Sequence, residues 1–329
     1  MRVHVIEQSS VGELRPFIAK CDFIPYTEYG VDRDLIANYL VEELSMIVSK
    51  GGFVLAAKEQ EEVIGIVSLE KSEWDTAHFG IDLSRIAHLF SSGDFIKSLN
   101  VKQKLISSLL EKCHEKLLLH ISARVHKEDL SSIHALESNS FRLMDVLVTY
   151  FFDLRKPRPN PEIRHDIRLF KKDDLPELEE IARTCFAESL VATDRYHADL
   201  TLPREKSGEL YVKWLAGSSQ DSSIGILVAE VNGKPVGFNI CKVDESLANK
   251  LGLRFGTITL TAVKPSERRK LAATSLLNAS LSWFADKVDI VETGGQVSNY
   301  FVQRAWSNAG FKIVRSQCTF HWSVLTDSL

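Results

Sequence analysis

A basic cluster, Arg268, Arg269 and Lys270, lies in the stretch VKPSERRKLAATSLL, between an apolar run, TITLTAV (257–263), and a helical pattern. Residues of this type at a strand-to-helix turn suit one kind of chemistry, the binding of phosphate. The first N–H groups of a helix lack intrahelical partners, the helix dipole adds partial positive charge, and basic side chains add formal charge. The same three residues also read as the solvated start of a surface helix, where cations are common. Further on, DIVETGGQV carries Gly294 and Gly295, which permit either close approach of a ligand to the main chain or a bulge. Metal and disulfide chemistry have little support, because the cysteines at 21, 113, 185, 241 and 318 form no C-x-x-C pair.

The elements that must position these residues belong to an ordinary globular chain. Of 329 residues, 44% are hydrophobic and 26% charged, with a formal net charge of -4. That balance gives no electrostatic footprint for nucleic acid. No apolar stretch approaches the ~20 residues that span a bilayer, and MRVHVIEQ lacks the apolar core of a signal peptide. A cytoplasmic protein is expected, with no membrane and no nucleic acid among its partners.

The proline-rich stretch RKPRPNPEIRHD (155–166) interrupts the periodic pattern and reads as a linker. The segments on either side rhyme. FVLAAKEQEEVIGI (53–66) and GILVAEVNGKPVGF (225–238) both read as hairpins, and SFRLMDVLVTYFFDL (140–154) pairs with GFKIVRSQCTFHWSV (310–324). A duplication is expected, with domains at 1–156 and 166–329 joined by a linker at 157–165. The second half reads as strand, helix, strand, strand, strand, helix, strand, helix, strand.

This order, with its motifs, resembles the GNAT acyltransferase superfamily. VKPSERRKLAA follows the family's V-x-P-x-x-R/Q-x-x-G-x-G/A turn through Val263, Pro265, Arg268 and Ala273, with Leu271 in place of the first glycine. NYFVQRAWSNAGF is similar to the family's N-x-x-A-x-x-x-Y-x-x-x-G-F signature through Asn299, Gly310 and Phe311, with Trp306 in place of the tyrosine. Three stretches, SEWDTAHFG (72–80), ARVHKEDLSSIHALESNSFRL (123–143) and LPREKSGELYVKWLAGS (202–218), look like dTDP-fucosamine acetyltransferase and its relatives, which acetylate the amine of a nucleotide-linked sugar. The resemblance implies an α/β (α+β) fold of two tandem GNAT-like domains, each a mixed, mostly antiparallel sheet flanked by helices. In the first half Asp129, Leu136 and Ser140 stand where Asn299, Trp306 and Gly310 stand in the second, so that half reads as degenerate.

The implied activity is acetyl transfer from acetyl-CoA to an amine, possibly of a nucleotide-linked amino sugar. The alternatives are a protein or small-amine acetyltransferase and a non-catalytic acyl-CoA-binding or interaction module. The resemblance gives the acyl donor to Thr261, Ala262, Val263, Arg268, Arg269, Lys270, Leu271, Ala272, Ala273, Thr274 and Asn299. Glu292 and Glu230 are candidate bases, and Tyr300 substitutes for the missing acid, since the indole of Trp306 has no useful acidity. Acceptor recognition falls on VATDRYHADLTLPREKSGELYVKW (191–214), with Arg195, Tyr196 and Tyr211, and on Gln296.

Overall fold

The computed structural model describes residues 1–157, 163–187 and 194–324; residues 158–162 of the expected linker and 191–193 of the expected acceptor stretch lie outside that set. The chain forms two compact units. One comprises Met1–Val146, Ala198–Thr201 and the chain from Ser316 on, and the other Leu147–His197 and Leu202–Arg315.

The first half runs β1 (Arg2–Val5), α1 (Arg15–Ile18), α2 (Arg33–Ser49), β2 (Phe53–Glu59), β3 (Glu62–Lys71), α3 (Glu73–Phe79), β4 (Leu83–Ser91), α4 (Phe95–Glu115), β5 (His120–His126), α5 (Leu130–Ser138) and β6 (Arg142–Asp153). The second runs β7 (Asp166–Leu169), α6 (Leu175–Ala182), α7 (Arg195–Ala198), α8 (Arg204–Ser218), β8 (Ile224–Val231), β9 (Lys234–Asp244), α9 (Glu245–Leu251), β10 (Phe255–Val263), α10 (Ala272–Phe284), β11 (Ile290–Gln296), α11 (Tyr300–Asn308) and β12 (Lys312–Ser323). From the first hairpin onward the two orders are the same. Three helices of the second half, α7, α8 and α9, were absent from the order expected from sequence; α7 is a single turn of four residues. Glycines 208 and 217 interrupt the pattern of α8, and α9 is too short to show a period.

In the first unit β1, β2, β3 and β4 pair antiparallel in turn, and β5 joins β4 in parallel. Residues 317–323 of β12 close this sheet antiparallel to β5. In the second unit β7, β8, β9 and β10 pair antiparallel, β11 is parallel to β10, and residues 147–153 of β6 lie antiparallel to β11. Each half therefore contributes its last strand to the unit built mainly by the other. The central strands β2, β3, β8 and β9 have long buried runs, as strands do when packed on both faces.

The degenerate triple of the first half occupies the same local positions as its counterpart. Asp129 caps α5 by accepting the Ser132 N–H, as Asn299 caps α11 by accepting the Val302 N–H. Leu136 and Trp306 are both buried, and Ser140 and Gly310 both follow their helices at positive φ, 64° and 91°. The capping acid has acquired a different partner. Lys102 of α4, itself buried, donates to both oxygens of Asp129 at 2.7 Å and to Ser131 Oγ at 2.9 Å. Burial pushes the Asp129 carboxyl up, but the ammonium and the two serine hydroxyls outweigh it and hold it below the ordinary range.

Removing one member of such a pair leaves an uncompensated buried charge. Asp129→Ala is expected to lower unfolding stability by about 3–5 kcal/mol in urea titrations, with Lys102→Met/Asp129→Asn recovering much of the loss. The carboxylate's contribution is complete above the unfolded value of about 3.9 and fades as pH falls through its lower folded value. Wild type is therefore expected to lose stability in acid more steeply than the double variant.

Candidate functional site

The second unit's sheet opens in its middle. Parallel pairing of β10 with β11 runs from Phe255↔Ile290 to Ile258↔Thr293 and stops there, although β10 continues to Val263 and β11 to Gln296. On its other edge β10 stays paired with β9 through Val263↔Gly237, with a register irregularity between Ile258 and Leu260. That extra residue bends the strand away from β11. The main-chain groups of residues 259–263 that face β11 consequently have no strand partner, and backbone polar groups in that state take a ligand or water. Thr261, Ala262 and Val263, expected to contact the acyl donor, all lie on this parted segment.

The turn that follows presents the amino end of α10. The helix's first bond is Ser275 N–H to Leu271 C=O at 2.9 Å, so the amides of Ala272, Ala273 and Thr274 precede the intrahelical ladder. Leu271 sits at φ 67°. This left-handed conformation supplies the reason for a glycine in the related pattern, because a Cβ costs energy there. Leu271 is 38% exposed, so it is not packed into the core. Arg268, Arg269 and Lys270 are also exposed. Arg268 reaches the Sγ of buried Cys185 at 3.8 Å, the Arg269 guanidinium lies 5.9 Å from the Phe301 ring centroid, and Lys270 pairs with Glu267 at 3.1 Å. The backbone donors and the cationic fringe thus share one turn.

At the far side of the opening, Asn299 is a helix cap, and the Gln303 amide donates to the Gln296 carbonyl at 3.3 Å. Tyr300 is 72% exposed at the first turn of α11. Trp306 is a core residue, with its ring 5.1 Å from that of Tyr150. Its ring also explains Gly295, where a Cβ would come within 3.1 Å of the indole. Glu292 accepts from both terminal nitrogens of Arg315, at 2.8 and 3.2 Å. The guanidinium fork takes one acceptor site on each oxygen and pairs the charge, which lowers the carboxylate's reach as a base. Glu230 accepts two bonds from Arg168 on the one oxygen Oε1, at 2.8 and 2.6 Å, and Arg168 also grips Asp174.

The stretch expected to meet the acceptor converges on a residue that sequence reasoning missed, Asp194. Asp194 Oδ2 accepts from His197 Nδ1 and from the Tyr211 hydroxyl, each at 2.8 Å, while Oδ1 accepts the N–H groups of Tyr196 and His197. Burial pushes the Asp194 carboxyl up, yet His197 and Tyr211 outweigh it and hold it low. Burial and the charge of Asp194 push the Tyr211 phenol well up, which keeps it a donor. The Arg195 guanidinium stacks on the Tyr196 ring, 4.4 Å from its centroid. Tyr211 stacks on Phe186 and packs against a cluster that contains Leu260 and Ala262 of the parted segment. With Nδ1 donating to Asp194, the neutral ring carries its lone pair on Nε2, which is buried and has no hydrogen-bond partner among the described residues. The D-x-x-H spacing was the available signal, and it is a weak one without the tyrosine that the fold brings to it.

The first unit opens in the same way and lacks the rest. Pairing of β4 with β5 ends at Ile86↔Ala123. The amino end of α4, however, is capped by Asp94, whose carboxylate accepts the Lys97 N–H at 2.8 Å. Negative charge there occupies and repels where a phosphate would bind.

Comparisons with known proteins agree with this geometry. Residues 176–311 match the model of the Acetyltransferase (GNAT) family. The chain is 25% identical over 200 residues to the uncharacterized N-acetyltransferase MJ1207 of Methanocaldococcus jannaschii, covering 60% of this chain and 78% of that one. It is 24% identical over 217 residues to the spore coat polysaccharide biosynthesis protein SpsD of Bacillus subtilis, covering 61% and 65%. Among solved structures it is similar to a GCN5-related N-acetyltransferase from Sphaerobacter thermophilus, with TM-score 0.63, 13% identity and coverage of 98% and 95%. A tandem GNAT protein from the clavulanic acid biosynthesis pathway gives 0.56, 12% and 98% of both chains. The fold is thus one shared with GNAT proteins over nearly the whole chain, and the part of the sequence that matches the GNAT family model, residues 176–311, holds the parted strand β10 and the basic turn.

Proposed function

We propose that the second unit is an acetyl-CoA-dependent N-acetyltransferase acting on a small-molecule amine, with the amine of an activated amino sugar as the leading acceptor. The observation that carries this reading is the parting of β10 from β11 directly ahead of a helix amino end fringed by Arg268, Arg269 and Lys270. A pantetheine arm lies between the parted strands, extended and paired with the free edge of residues 259–263. The diphosphate meets the amides of 272–274, and the three cations neutralise it. An N–H of the parted segment donates to the thioester carbonyl and stabilises the oxyanion that forms when the amine adds. The polysaccharide role in the name of the Bacillus subtilis relative supports a sugar acceptor, as do the three stretches resembling amino-sugar acetyltransferases.

His197 is the proton acceptor in this reading. Once the segment that buries Nε2 gives way to the acceptor, the ammonium passes a proton to that nitrogen. The neutral amine then forms the C–N bond, the C–S bond breaks with its electron pair leaving on sulfur, Tyr300 protonates the thiolate, and the second proton of the new amide nitrogen returns to the tyrosinate. Asp194 fixes the ring's tautomer and stabilises the imidazolium. Glu292 serves instead to anchor β11 to Arg315. Tyr300, exposed at the start of α11, is the hydroxyl donor for the departing thiolate. Arg195 and Tyr196 offer a cationic and aromatic surface for the acceptor, and Gln296 ends the strand facing it.

Acetyl-CoA at a hundredfold excess over its dissociation constant is expected to stabilise the protein by about 2.7 kcal/mol, read as a rise in Tm. An unchanged melting curve would remove the reading. Binding without thiol release in the presence of amino-sugar nucleotides or other amines would leave an acyl-CoA-binding module.

His197→Ala should lower kcat/KM by about 10²- to 10⁴-fold, with the acetyl-CoA-dependent Tm rise retained. A full-rate variant would return the base role to Glu292. Replacing Leu271 by glycine removes a left-handed Leu but frees the unfolded chain, so a net gain of about 0.5–1 kcal/mol is expected by urea unfolding, with tighter acetyl-CoA binding by calorimetry.

A further inference from the structure

The first unit contains a cluster that the acyl-transfer reading does not use. His120 begins β5 and His321 lies near the end of β12, diagonal to one another on one face, since Ser323 pairs with His120 and His321 with Ser122. Asp199 Oδ2 lies 2.8 Å from His120 Nε2 and 2.7 Å from His321 Nδ1. The three ligand atoms fall within 4.8 Å of one another, and the side chains are only 1–3% exposed. The other carboxylate oxygen is fixed by Thr201, whose N–H and hydroxyl donate to Oδ1 at 2.8 and 2.6 Å. Oδ2 is thereby aimed at the two rings, as an outer partner aims a ligand.

A buried carboxylate needs a compensating positive charge. Among the described residues no lysine or arginine pairs with Asp199; its ionic partners are the two imidazoles. We propose that His120 Nε2, His321 Nδ1 and Asp199 Oδ2 bind a divalent transition-metal ion of the zinc class. Two imidazoles and one carboxylate form a borderline donor set that favours zinc, cobalt, iron or nickel over calcium or magnesium. Tetrahedral bonds of ~2.0–2.1 Å separate adjacent ligand atoms by about 3.3 Å, so each ring moves away from Asp199 Oδ2 by roughly half an ångström to admit the ion. On metallation each ring's proton passes from the ligating nitrogen to the other. His120 Nδ1, buried and without a hydrogen-bond partner among the described residues, is open to receive it. A cavity of about 170 Å³, lined by Asp199, Thr201, His321 and Ser323 among others, gives the ion an approach and room for water on its remaining positions. The ion's effect is structural, tying residues 198–201 to β5 and β12 within one unit.

The test uses the full chain, free of any affinity tag and stripped with a chelator. One equivalent of cobalt(II) is expected to produce ligand-field bands in the visible. One equivalent of zinc should raise Tm by about 5 °C at a hundredfold excess over the dissociation constant. Both effects should vanish in Asp199→Asn and His321→Ala and persist in His126→Ala. Where a site variant does not fold, cobalt and zinc titration of the unsubstituted chain decides alone. No cobalt bands and no zinc-dependent Tm change in that chain would overturn the metal site and leave an imidazolium as the counter-charge. Because neither readout involves acetyl-CoA or an amine, the outcome is independent of the transferase reading.

Discussion

The opening in the second unit's sheet depends on where two parallel strands stop pairing. Inside a sheet each strand's polar groups are consumed by its neighbours, and a sheet that is continuous across its width has nothing to offer a ligand. The irregularity beside Ile258 breaks that continuity at one point. It costs a few ladder bonds between β10 and β11, and β9 and the last strand of the first half hold the outer edges of the opening in place. A donor-lined slot results, its walls fixed by ordinary pairing. The helix amino end and the three cations follow directly from the parted strand.

The two halves show which parts of this arrangement are architecture and which are equipment. Both keep the parted strands, the helix caps and the positive-φ residue before the last strand. The first half has placed an acid at the helix start that the second half leaves to backbone amides, and a buried Lys102–Asp129 pair where the second has a capping asparagine. Such replacements leave the sheet intact, because caps and buried pairs are local in their effects. They change the charge at the equivalent turn, where Asp94 accepts a backbone N–H and places a carboxylate.

Much of the fold was legible in the sequence, since its signals are local. The hairpins at 53–66 and 225–238 are β2–β3 and β8–β9, and the rhyming final segments are β6 and β12. The motif register also proved informative: Leu271 lies at positive φ, the constraint that makes glycine the ordinary choice. Side-chain partnerships were not legible. Arg315 takes both oxygens of Glu292 from 23 positions away, and Tyr211 reaches Asp194 from 17. His120, Asp199 and His321 come from three distant segments, so no ligand spacing betrays them. Such pairs are set by sheet register and by loops returning to the sheet, which periodicity does not encode.

The closure of the first unit by the chain's last strand has a consequence for biosynthesis. Arg124 of β5 and its hydrogen-bonded partner Thr319 of β12 are 195 positions apart. At ribosomal rates of about 5–20 residues per second, ~10–40 s pass between the synthesis of one and the other. During that interval the nascent first half carries an unfinished β5, a row of main-chain donors and acceptors able to recruit any passing extended segment. The amino-terminal portion therefore waits on the ribosome for its missing strand, and holdase chaperones have their longest opportunity there.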